Sequence, residues 1–187
     1  MIYGYVIAAL WLAWAAYWFI SAAGVKPVVQ SESWQSRVAY SAPLWVAVVL
    51  LVARRLPWPL TASLFARTDA TAVVGIFLTA IGLGFAVWAR VVLAGNWSAE
   101  VTVKRDHELI QSGPYALARH PIYTGLSLAF LAAFVAIGEW RALIAAVIAI
   151  ASFVYKLSIE ERLMRETFGQ AYDVYAERVK ALVPFII

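Results

Sequence analysis

Cysteine is absent from this chain of 187 residues, and histidine occurs only twice. Without cysteine there can be no disulfide framework, thiolate nucleophile or cysteine-ligated metal. Two histidines are also too few for a histidine-rich metal centre, so no metal is expected. Charged residues are scarce, at 14% of the chain against about 25% in an average soluble domain. The net charge of +4 is modest, which argues against nucleic acid as a partner and fits a role in membrane orientation.

Apolar residues are abundant instead, at 64% of the chain, which is too many for one soluble core of this length. Nine Trp, nine Tyr and nine Phe fit aromatic belts at two membrane interfaces. We therefore predict an all-α, polytopic integral membrane protein with about five transmembrane helices and a C-terminal amphipathic helix. The first apolar run lacks a basic n-region, so we interpret it as a retained helix, not a cleaved signal peptide. The predicted spans are about 2–23, 38–53, 70–94, 122–138 and 142–159.

The basic residues are divided unequally between the two faces of the predicted bundle. Four lie on the face that holds the N-terminus and ten on the face that holds the C-terminus. Because basic loops remain on the cytoplasmic side, we expect the N-terminus outside and the C-terminus in the cytoplasm. The two long segments outside the spans, 95–121 and 160–187, then lie on the cytoplasmic side. Arg90, inside the third span, is expected to extend its side chain to that same face.

Two further patterns predict how the helices pack. The third span carries small residues at spacings of four, three and four, namely Gly75, Thr79, Gly82 and Ala86. They share one helical face, where a second helix can approach closely, so we predict a packing seam there. Apolar residues recur at roughly helical spacing over 160–180, which indicates an amphipathic cytoplasmic helix that Gly169 kinks or breaks.

The segment 113–125 combines prolines, glycines and two basic side chains just before the fourth span. Pro121 suits the first position of that helix and biases His120 away from helical conformation. A helix N-terminus with free N–H groups, beside Arg119 and His120, makes an anion-binding corner. The alternative, which the residues alone leave open, is an ordinary polar loop before a proline-started helix.

The pair Glu160-Glu161 directly follows the fifth span. Acidic side chains at a helix C-terminus oppose the helix dipole unless the helix continues. Two adjacent carboxylates at a membrane surface need a cationic partner, which Arg119, Arg162 or Lys156 could supply. The alternative is a solvated start of the amphipathic helix.

Taken together, these strings resemble the isoprenylcysteine carboxyl methyltransferase family, including its bacterial and archaeal relatives and the phospholipid methyltransferases. The resemblance covers about half of the chain, from Asn96 to Pro184, and the first spans match only as apolar helices. It divides the chain into N-terminal transmembrane helices, 1–94, and a methyltransferase core, 95–187. The strings that carry it are Gly95-Asn96-Trp97-Ser98, His107-Glu108-Leu109-Ile110, Ser112-Gly113-Pro114-Tyr115, Arg119-His120-Pro121-Ile122-Tyr123-Thr124-Gly125, Glu160-Glu161, Phe168-Gly169, Tyr172, Tyr175 and Pro184.

The resemblance implies that the protein binds S-adenosylmethionine, in a bacterial or archaeal cytoplasmic membrane. Arg119 or backbone N–H groups near His120 would take the donor's carboxylate. One of the two glutamates, which sequence does not rank, would take its ammonium or a ribose hydroxyl. We expect Arg119 and Glu160, the predicted catalytic residues, to lie at an exposed surface cleft. The predicted donor-binding residues are His107, Leu109, Tyr115, Arg119, His120, Pro121, Tyr123, Gly125, Glu160 and Glu161.

The expected acceptor is a lipophilic small molecule that enters from the membrane lipid. A carboxylate acceptor, such as that of a prenylated cysteine, is already ionised and needs an orienting cation, for which Arg119 is the first choice. An amine acceptor, as in phospholipid N-methylation, would need a base such as His120 or a glutamate. A membrane reductase that binds NADPH and a non-catalytic membrane protein are the remaining alternatives. The oligomeric state is left open.

Overall fold

The structure is a computed structural model that describes residues 2–24, 28–53, 55–97, 102–104 and 108–186. Six α-helices account for most of it, and the two short strands β1 (Val28–Ser31) and β2 (Thr102–Lys104) pair antiparallel. The helices are α1 (Ile2–Ser21), α2 (Trp34–Val52), α3 (Asp69–Leu93), α4 (Pro121–Ile137), α5 (Trp140–Phe168) and α6 (Gln170–Arg178).

Five of these helices correspond to the five predicted spans, which confirms a helical, polytopic membrane protein. Within the described residues, four helices (α1, α2, α3 and α5) are long and apolar enough to cross a membrane. The fifth, α4, has only 17 residues, or about 26 Å at 1.5 Å per residue, slightly less than a bilayer core of about 30 Å. That α4 crosses the membrane therefore stays a prediction, and a crossing helix of this length would be accommodated by a thinner bilayer or by flanking side chains that extend to the interface.

The outer surface of the bundle is apolar, as lipid contact requires. None of the residues of α1, which the structure describes throughout, is buried. Large side chains such as Phe19 and Trp45 are 86% and 70% exposed. A water-soluble protein rarely exposes such an extended apolar surface, whereas hydrocarbon chains solvate it at no cost.

The small residues of α3 form the predicted seam, and α4 packs against it. Gly75, Thr79, Gly82 and Ala86 are all buried. A Cβ added to Gly82 would lie 2.5 Å from the carbonyl oxygen of Gly125 on α4, and a Cβ added to Gly125 would in turn collide with the Gly82 carbonyl. The two backbones therefore touch at this crossing, which confirms the seam. The seam joins α3, from the predicted N-terminal region 1–94, to α4, from the predicted methyltransferase core 95–187. The division of the chain into these two regions stays a prediction.

Polar side chains tie the helix ends to one another. Arg141, in the first turn of α5, donates from Nη1 to the carbonyls of Leu50, Leu51 and Ala53 at 2.9–3.1 Å. These carbonyls belong to the end of α2, where backbone acceptors lack helical partners. One guanidinium thus fixes the end of α2 to the hairpin formed by α4 and α5.

The expectation that Arg90 extends to the cytoplasmic face is wrong in one respect: the side chain is directed to the ends of α3 and α1 that lie toward that face, but it does not reach solvent. Its side chain is only 4% exposed, and its Nη1 donates to the Ala94 carbonyl at 2.8 Å. Its Nη2 donates to the Ser21 carbonyl at the end of α1, and its guanidinium lies 4.5 Å from the centre of the Trp97 ring. Carbonyls at two helix ends and an aromatic face solvate this charge, so it remains inside.

The single amphipathic helix predicted over 160–180 is also wrong in its bounds. Residues 160–168 are the last turns of α5, and α6 begins only at Gln170. Gly169 separates the two helices with φ +53°, a value that favours glycine, so the predicted break is confirmed. Residues 108–120, α6 and the segment 179–182 together form a cap over one end of the bundle.

The seam between α3 and α4 yields a test with a matched control. We expect Gly82→Ala to destabilise the protein by about 1–3 kcal/mol, because the new methyl group would overpack a backbone contact. Gly84→Ala, on the same helix, has no atom within 4 Å of its added Cβ and should leave the melting temperature unchanged or raise it. Melting temperatures in one detergent measure both effects, and equal values for the two variants would contradict the seam.

Candidate functional site

A cavity of about 390 Å³ lies between the cap and the helical bundle. Its cap end is formed by the loop 108–120, α6 and the last turns of α5. Its bundle end extends between α1, α2, α4 and α5 and is mainly aromatic and aliphatic. Lining residues from the bundle include Trp14, Trp18, Tyr40, Leu44, Leu126, Phe153 and Lys156, and those from the cap end include Glu108, Leu109, Tyr115, Arg119, His120, Glu160, Tyr172 and Tyr175.

The loop that opens α4 is held by the C-terminal segment. Pro121 occupies the first turn of α4, after His120 at the N-cap, as predicted. The amides of Arg119 and His120 donate to the carbonyls of Lys180 and Ala181 at 2.8 and 2.9 Å. These two amides are therefore not free to bind an anion. The predicted anion-binding corner would depend on the first amides of α4 itself and stays a prediction.

Arg119 is largely buried, so its predicted place at an exposed cleft is wrong. Its side chain is 10% exposed, with Nη2 2.6 Å from Oε1 of Glu161. Its Nε donates to the same oxygen at 2.7 Å, and its Nη1 donates to the carbonyls of Ala176 and Val179. These contacts join α5 to the end of α6, and the ion pair is not the solvent-exposed kind that contributes only about 0–1 kcal/mol.

Glu161 is the hub of this network. Its side chain is 9% exposed and contacts Arg119 and His120 through Oε1 and Arg165 through Oε2, the latter two at 3.2 and 3.1 Å. A carboxylate so deeply buried is tolerated only when charged donors satisfy it. Glu161 itself does not line the cavity.

Glu160 faces the cavity and is more exposed, at 23% of its side chain. Its Oε1 accepts the Tyr123 hydroxyl at 2.5 Å, and its Oε2 lies 3.3 Å from Nδ1 of His120. The sequence left the two glutamates unranked, whereas the geometry distinguishes them: Glu160 lies on the cavity wall and Glu161 behind it.

His120 lies between the two carboxylates, with Nδ1 facing Glu160 and Nε2 facing Glu161. Burial lowers the pKa of its imidazole, but hydrogen bonds to both glutamates outweigh burial and raise the pKa above 6.5. Its ring stacks on Tyr123 at 5.8 Å between centres. An imidazolium that donates from both nitrogens is thus the form that fits this position.

The remaining predicted donor-binding residues fall into three groups. Leu109, Tyr115, Pro121 and Tyr123 line the cavity. Gly125 is not among the lining residues and lies in the seam between α3 and α4, so its role in donor binding stays a prediction. His107 lies outside the described residues, so its role stays a prediction.

Tyr115 is fixed from the cap. It is 6% exposed, and its carbonyl accepts the Tyr175 hydroxyl at 2.6 Å. Burial raises the pKa of Tyr175 to about 12, so this phenol remains a hydrogen-bond donor at neutral pH. The pair therefore forms a rigid aromatic wall at the cap end of the cavity.

Sequence reasoning assigned no role to several residues on the cavity wall. Trp14 and Trp18 come from an apolar helix without a motif, and Asn96 was noticed only as part of a string. Nε1 of Trp14 and Oδ1 of Asn96 are buried polar atoms without a hydrogen-bond partner in the described part of the chain. A donor and an acceptor left unsatisfied on a cavity wall indicate polar groups on a ligand.

Metal coordination has no support from the described residues, among which no cluster of three His, Cys, Asp or Glu side chains could hold an ion. The charged and phenolic groups on the cavity wall are instead the carboxylates of Glu108 and Glu160, an imidazolium, a guanidinium, an ammonium and several tyrosine hydroxyls.

Comparison with known proteins gives matches over the same region. Residues 70–171, more than half of the chain, match the family described as phospholipid methyltransferase. Protein-S-isoprenylcysteine O-methyltransferase B of Arabidopsis thaliana is 32% identical over 89 residues, which are 46% of this chain and 45% of that protein. The Schizosaccharomyces pombe protein-S-isoprenylcysteine O-methyltransferase is 30% identical over 101 residues, or 52% of this chain and 43% of that protein.

A third similar protein is methanethiol S-methyltransferase 1 of Bradyrhizobium diazoefficiens, 42% identical over 71 residues, which are 38% of this chain and 24% of that protein. The chain therefore spans less than half the length of each of these three relatives. The matches confirm the resemblance that the motif strings carry.

The position of His120 generates a test of pH dependence. Because its pKa is raised in the folded protein, its stabilising contribution is complete below about pH 6.5 and is lost as the pH rises through the raised value. The wild type should therefore exceed His120→Asn in melting temperature at pH 6, by a margin that shrinks toward pH 9. Thermal melts of both proteins measure it, and a margin independent of pH would show that the imidazole does not titrate as described.

Proposed function

Because the chain belongs to the phospholipid methyltransferase family, we propose that it is an integral membrane methyltransferase that uses S-adenosylmethionine and acts on a lipophilic acceptor. The observation that carries this proposal is the shape of one cavity, which residues from both motif strings line. One end lies under a polar cap, where a water-soluble donor fits, and the other is an apolar space among the helices, where a lipid tail fits. Such a cavity brings two molecules of opposite solubility together.

The residues at the cap end fit the donor. The cavity volume of about 390 Å³ lies within the usual range for small-molecule sites, about 300–1,000 Å³. Glu160 would take the ammonium or a ribose hydroxyl, and Tyr115 and Leu109 would wall the adenosyl group. The unsatisfied Oδ1 of Asn96 would accept a hydrogen bond from the bound molecule. Arg119 would act through its hold on Glu161 and α6.

When bound, S-adenosylmethionine would supply an electrophilic methyl group carried on a sulfonium. The contribution of the chain is then mostly positioning and exclusion of water, which suffice for a displacement between aligned reactants. Arg119 would hold the cap against the bundle, and the cap would keep water out of the cavity. The Tyr123 hydroxyl donates to Glu160 at 2.5 Å and holds that carboxylate in place. No proton needs to move if the acceptor is a carboxylate, which is ionised at neutral pH.

His120 supports a carboxylate acceptor over an amine. An amine must lose a proton before it can attack, and the candidate bases are His120 and a glutamate. Two glutamates raise the pKa of His120 and favour its protonated form, which makes it a poor base near neutral pH. We therefore place the acceptor nearer to a prenylated cysteine carboxylate than to a phospholipid amine.

The apolar end of the cavity would receive the acceptor's tail. Trp14, Trp18, Leu44 and Phe153 line this end, and each methylene buried there adds roughly 0.8 kcal/mol to binding. The acceptor would enter from the lipid and present its head near Glu160. In the cell, we expect the cap on the cytoplasmic face of a bacterial or archaeal inner membrane, with the N-terminus on the other side.

A reductase that binds NADPH is less compatible with the cavity. Recognition of a 2′-phosphate calls for clustered cations. Among the described lining residues, the lysines and arginines are Arg119, which is paired with Glu161, and Lys156. Both lie next to a glutamate, which would repel a phosphate.

Direct binding tests the proposal. Purified protein should bind S-adenosylhomocysteine and not NADPH in isothermal titration, and saturation at 100 times the Kd should stabilise the fold by about 2.7 kcal/mol. Absence of both heat and thermal shift with S-adenosylhomocysteine, in two different detergents, would overturn the proposal. Binding of NADPH alone would favour the reductase.

A further inference from the structure

Asn96 places a buried polar side chain on the cavity wall. It is the last residue of the turn Ala94–Asn96, which directly follows α3, and it is only 8% exposed. The residue lines the cavity, yet its Oδ1 has no hydrogen-bond partner among the described residues. Because buried polar atoms are nearly always hydrogen-bonded, this oxygen indicates a hydrogen-bond donor on the molecule that fills the cavity.

The turn that carries Asn96 is held by several contacts. The Ala94 carbonyl accepts Nη1 of the buried Arg90 at 2.8 Å and the amide of Trp97 at 3.4 Å. The guanidinium of Arg90 lies 4.5 Å from the centre of the Trp97 ring, and the Trp18 ring meets that ring at 88°. Ala94 has φ +47°, which is unfavourable for a residue other than glycine and persists only where the surroundings enforce it. The backbone of Asn96 is therefore fixed in one place before a ligand binds.

This turn lies at the cap end of the cavity. A Cβ added to Gly113, in the loop of the cap, would lie 3.4 Å from Cγ2 of Val92, so the loop packs against the last turn of α3. The lining residues that the end of α3 and this loop contribute around Asn96 are mostly aliphatic or aromatic, namely Leu93, Trp97, Leu109, Ile110 and Tyr115. A flat, largely apolar group with a hydrogen-bond donor at its edge fits these surroundings.

Among the parts of S-adenosylmethionine, adenine is the group that fits this description. Its ring is flat, and its exocyclic amino group donates hydrogen bonds at the ring edge. The side-chain amide of asparagine is well suited to accept from that amino group. The donor's ammonium is drawn instead to a carboxylate, which Glu160 on α5 supplies, and the donor's own carboxylate has no proton to give to Oδ1.

We propose that Asn96 is a specificity-determining residue that recognises the adenine of the methyl donor, with Oδ1 accepting a hydrogen bond from the exocyclic amino group. This inference rests on the proposed methyltransferase function and assigns the base-recognition residue of the same cavity. A base without the amino group would leave Oδ1 buried and unsatisfied, which is unfavourable among apolar side chains. A site built around such a hydrogen bond rejects the analogue that lacks it.

The test compares two ligands that differ only in the amino group. One is S-adenosylhomocysteine, and the other is its analogue with purine in place of adenine. Isothermal titration measures both affinities for the purified protein, without an acceptor and without turnover. The wild type should bind S-adenosylhomocysteine about tenfold more tightly, the difference expected when a buried acceptor loses its one hydrogen bond. Asn96→Leu, which has a similar size and no polar atom, should bind the two ligands with nearly equal affinity.

Three further variants separate recognition from a structural effect. Asn96→Ala also removes the acceptor and should abolish the preference even if leucine does not fit the turn. Asn96→Asp keeps an oxygen acceptor at the same position and should retain the preference. Gln170→Leu changes an exposed amide at the start of α6, outside the cavity lining, and should leave both affinities unchanged. A purely structural role of Asn96 would lower the two affinities together and keep their ratio as in the wild type.

Separate outcomes distinguish failure of this inference from failure of the proposed function. A wild-type protein that does not bind S-adenosylhomocysteine would refute both. A wild type that binds S-adenosylhomocysteine and the purine analogue equally well would overturn the role of Asn96 alone. The same conclusion would follow if Asn96→Leu or Asn96→Ala bound S-adenosylhomocysteine and kept the tenfold ratio.

Discussion

The buried carboxylate of Glu161 is the interaction on which the site depends. It binds Arg119 from the loop before α4, His120 at the N-cap of α4, and Arg165 one turn further along α5. Through Arg119 it also reaches the carbonyls at the end of α6. Removing a buried partner of this kind leaves charges uncompensated, which typically costs about 3–5 kcal/mol. The cap is therefore held on the bundle by ion pairs whose charged groups would each be unfavourable if buried alone.

The neighbouring glutamate gains its position from this arrangement. Adjacent residues on an α-helix differ by about 100° in direction, so once Glu161 turns inward to the network, Glu160 is directed to the cavity. There Tyr123 and His120 hold it, and Lys156 lies one turn away. Of the two adjacent glutamates, Glu161 therefore binds the side chains that hold the cap, and Glu160 presents its carboxylate to a ligand in the cavity.

The features that sequence predicted correctly are local and periodic. The seam of Gly75 and Gly82 follows from the spacing of small residues, and the break at Gly169 from the conformational freedom of glycine. The start of α4 at Pro121 follows from the restrictions that proline imposes. The motif strings also identified most of the cap side of the cavity, including Tyr115, Tyr123 and Glu160, because the family resemblance groups strings that are distant in the chain.

The features that sequence missed depend on distant contacts. The partners of Arg119 include carbonyls about sixty residues later, and nothing in the local string shows that the chain returns there. Trp14 and Asn96 become cavity residues only when α1 packs against α3. Arg90 stays inside because two helix ends converge on it, and Lys156 acquires its setting from rings on α2 and α4. None of these long-range contacts produces a periodic pattern in the sequence from which it could be predicted.

The division of labour between the two glutamates is the central claim, and one comparison tests it directly. Glu161→Gln and Glu160→Gln are measured side by side for melting temperature and for affinity toward S-adenosylhomocysteine, with Glu166→Gln as a control at an exposed position of α5. The account predicts that Glu161→Gln melts well below the other two proteins, whereas Glu160→Gln keeps its stability and loses affinity. Equal melting temperatures for Glu160→Gln and Glu161→Gln, or a loss of stability in Glu160→Gln alone, would contradict it.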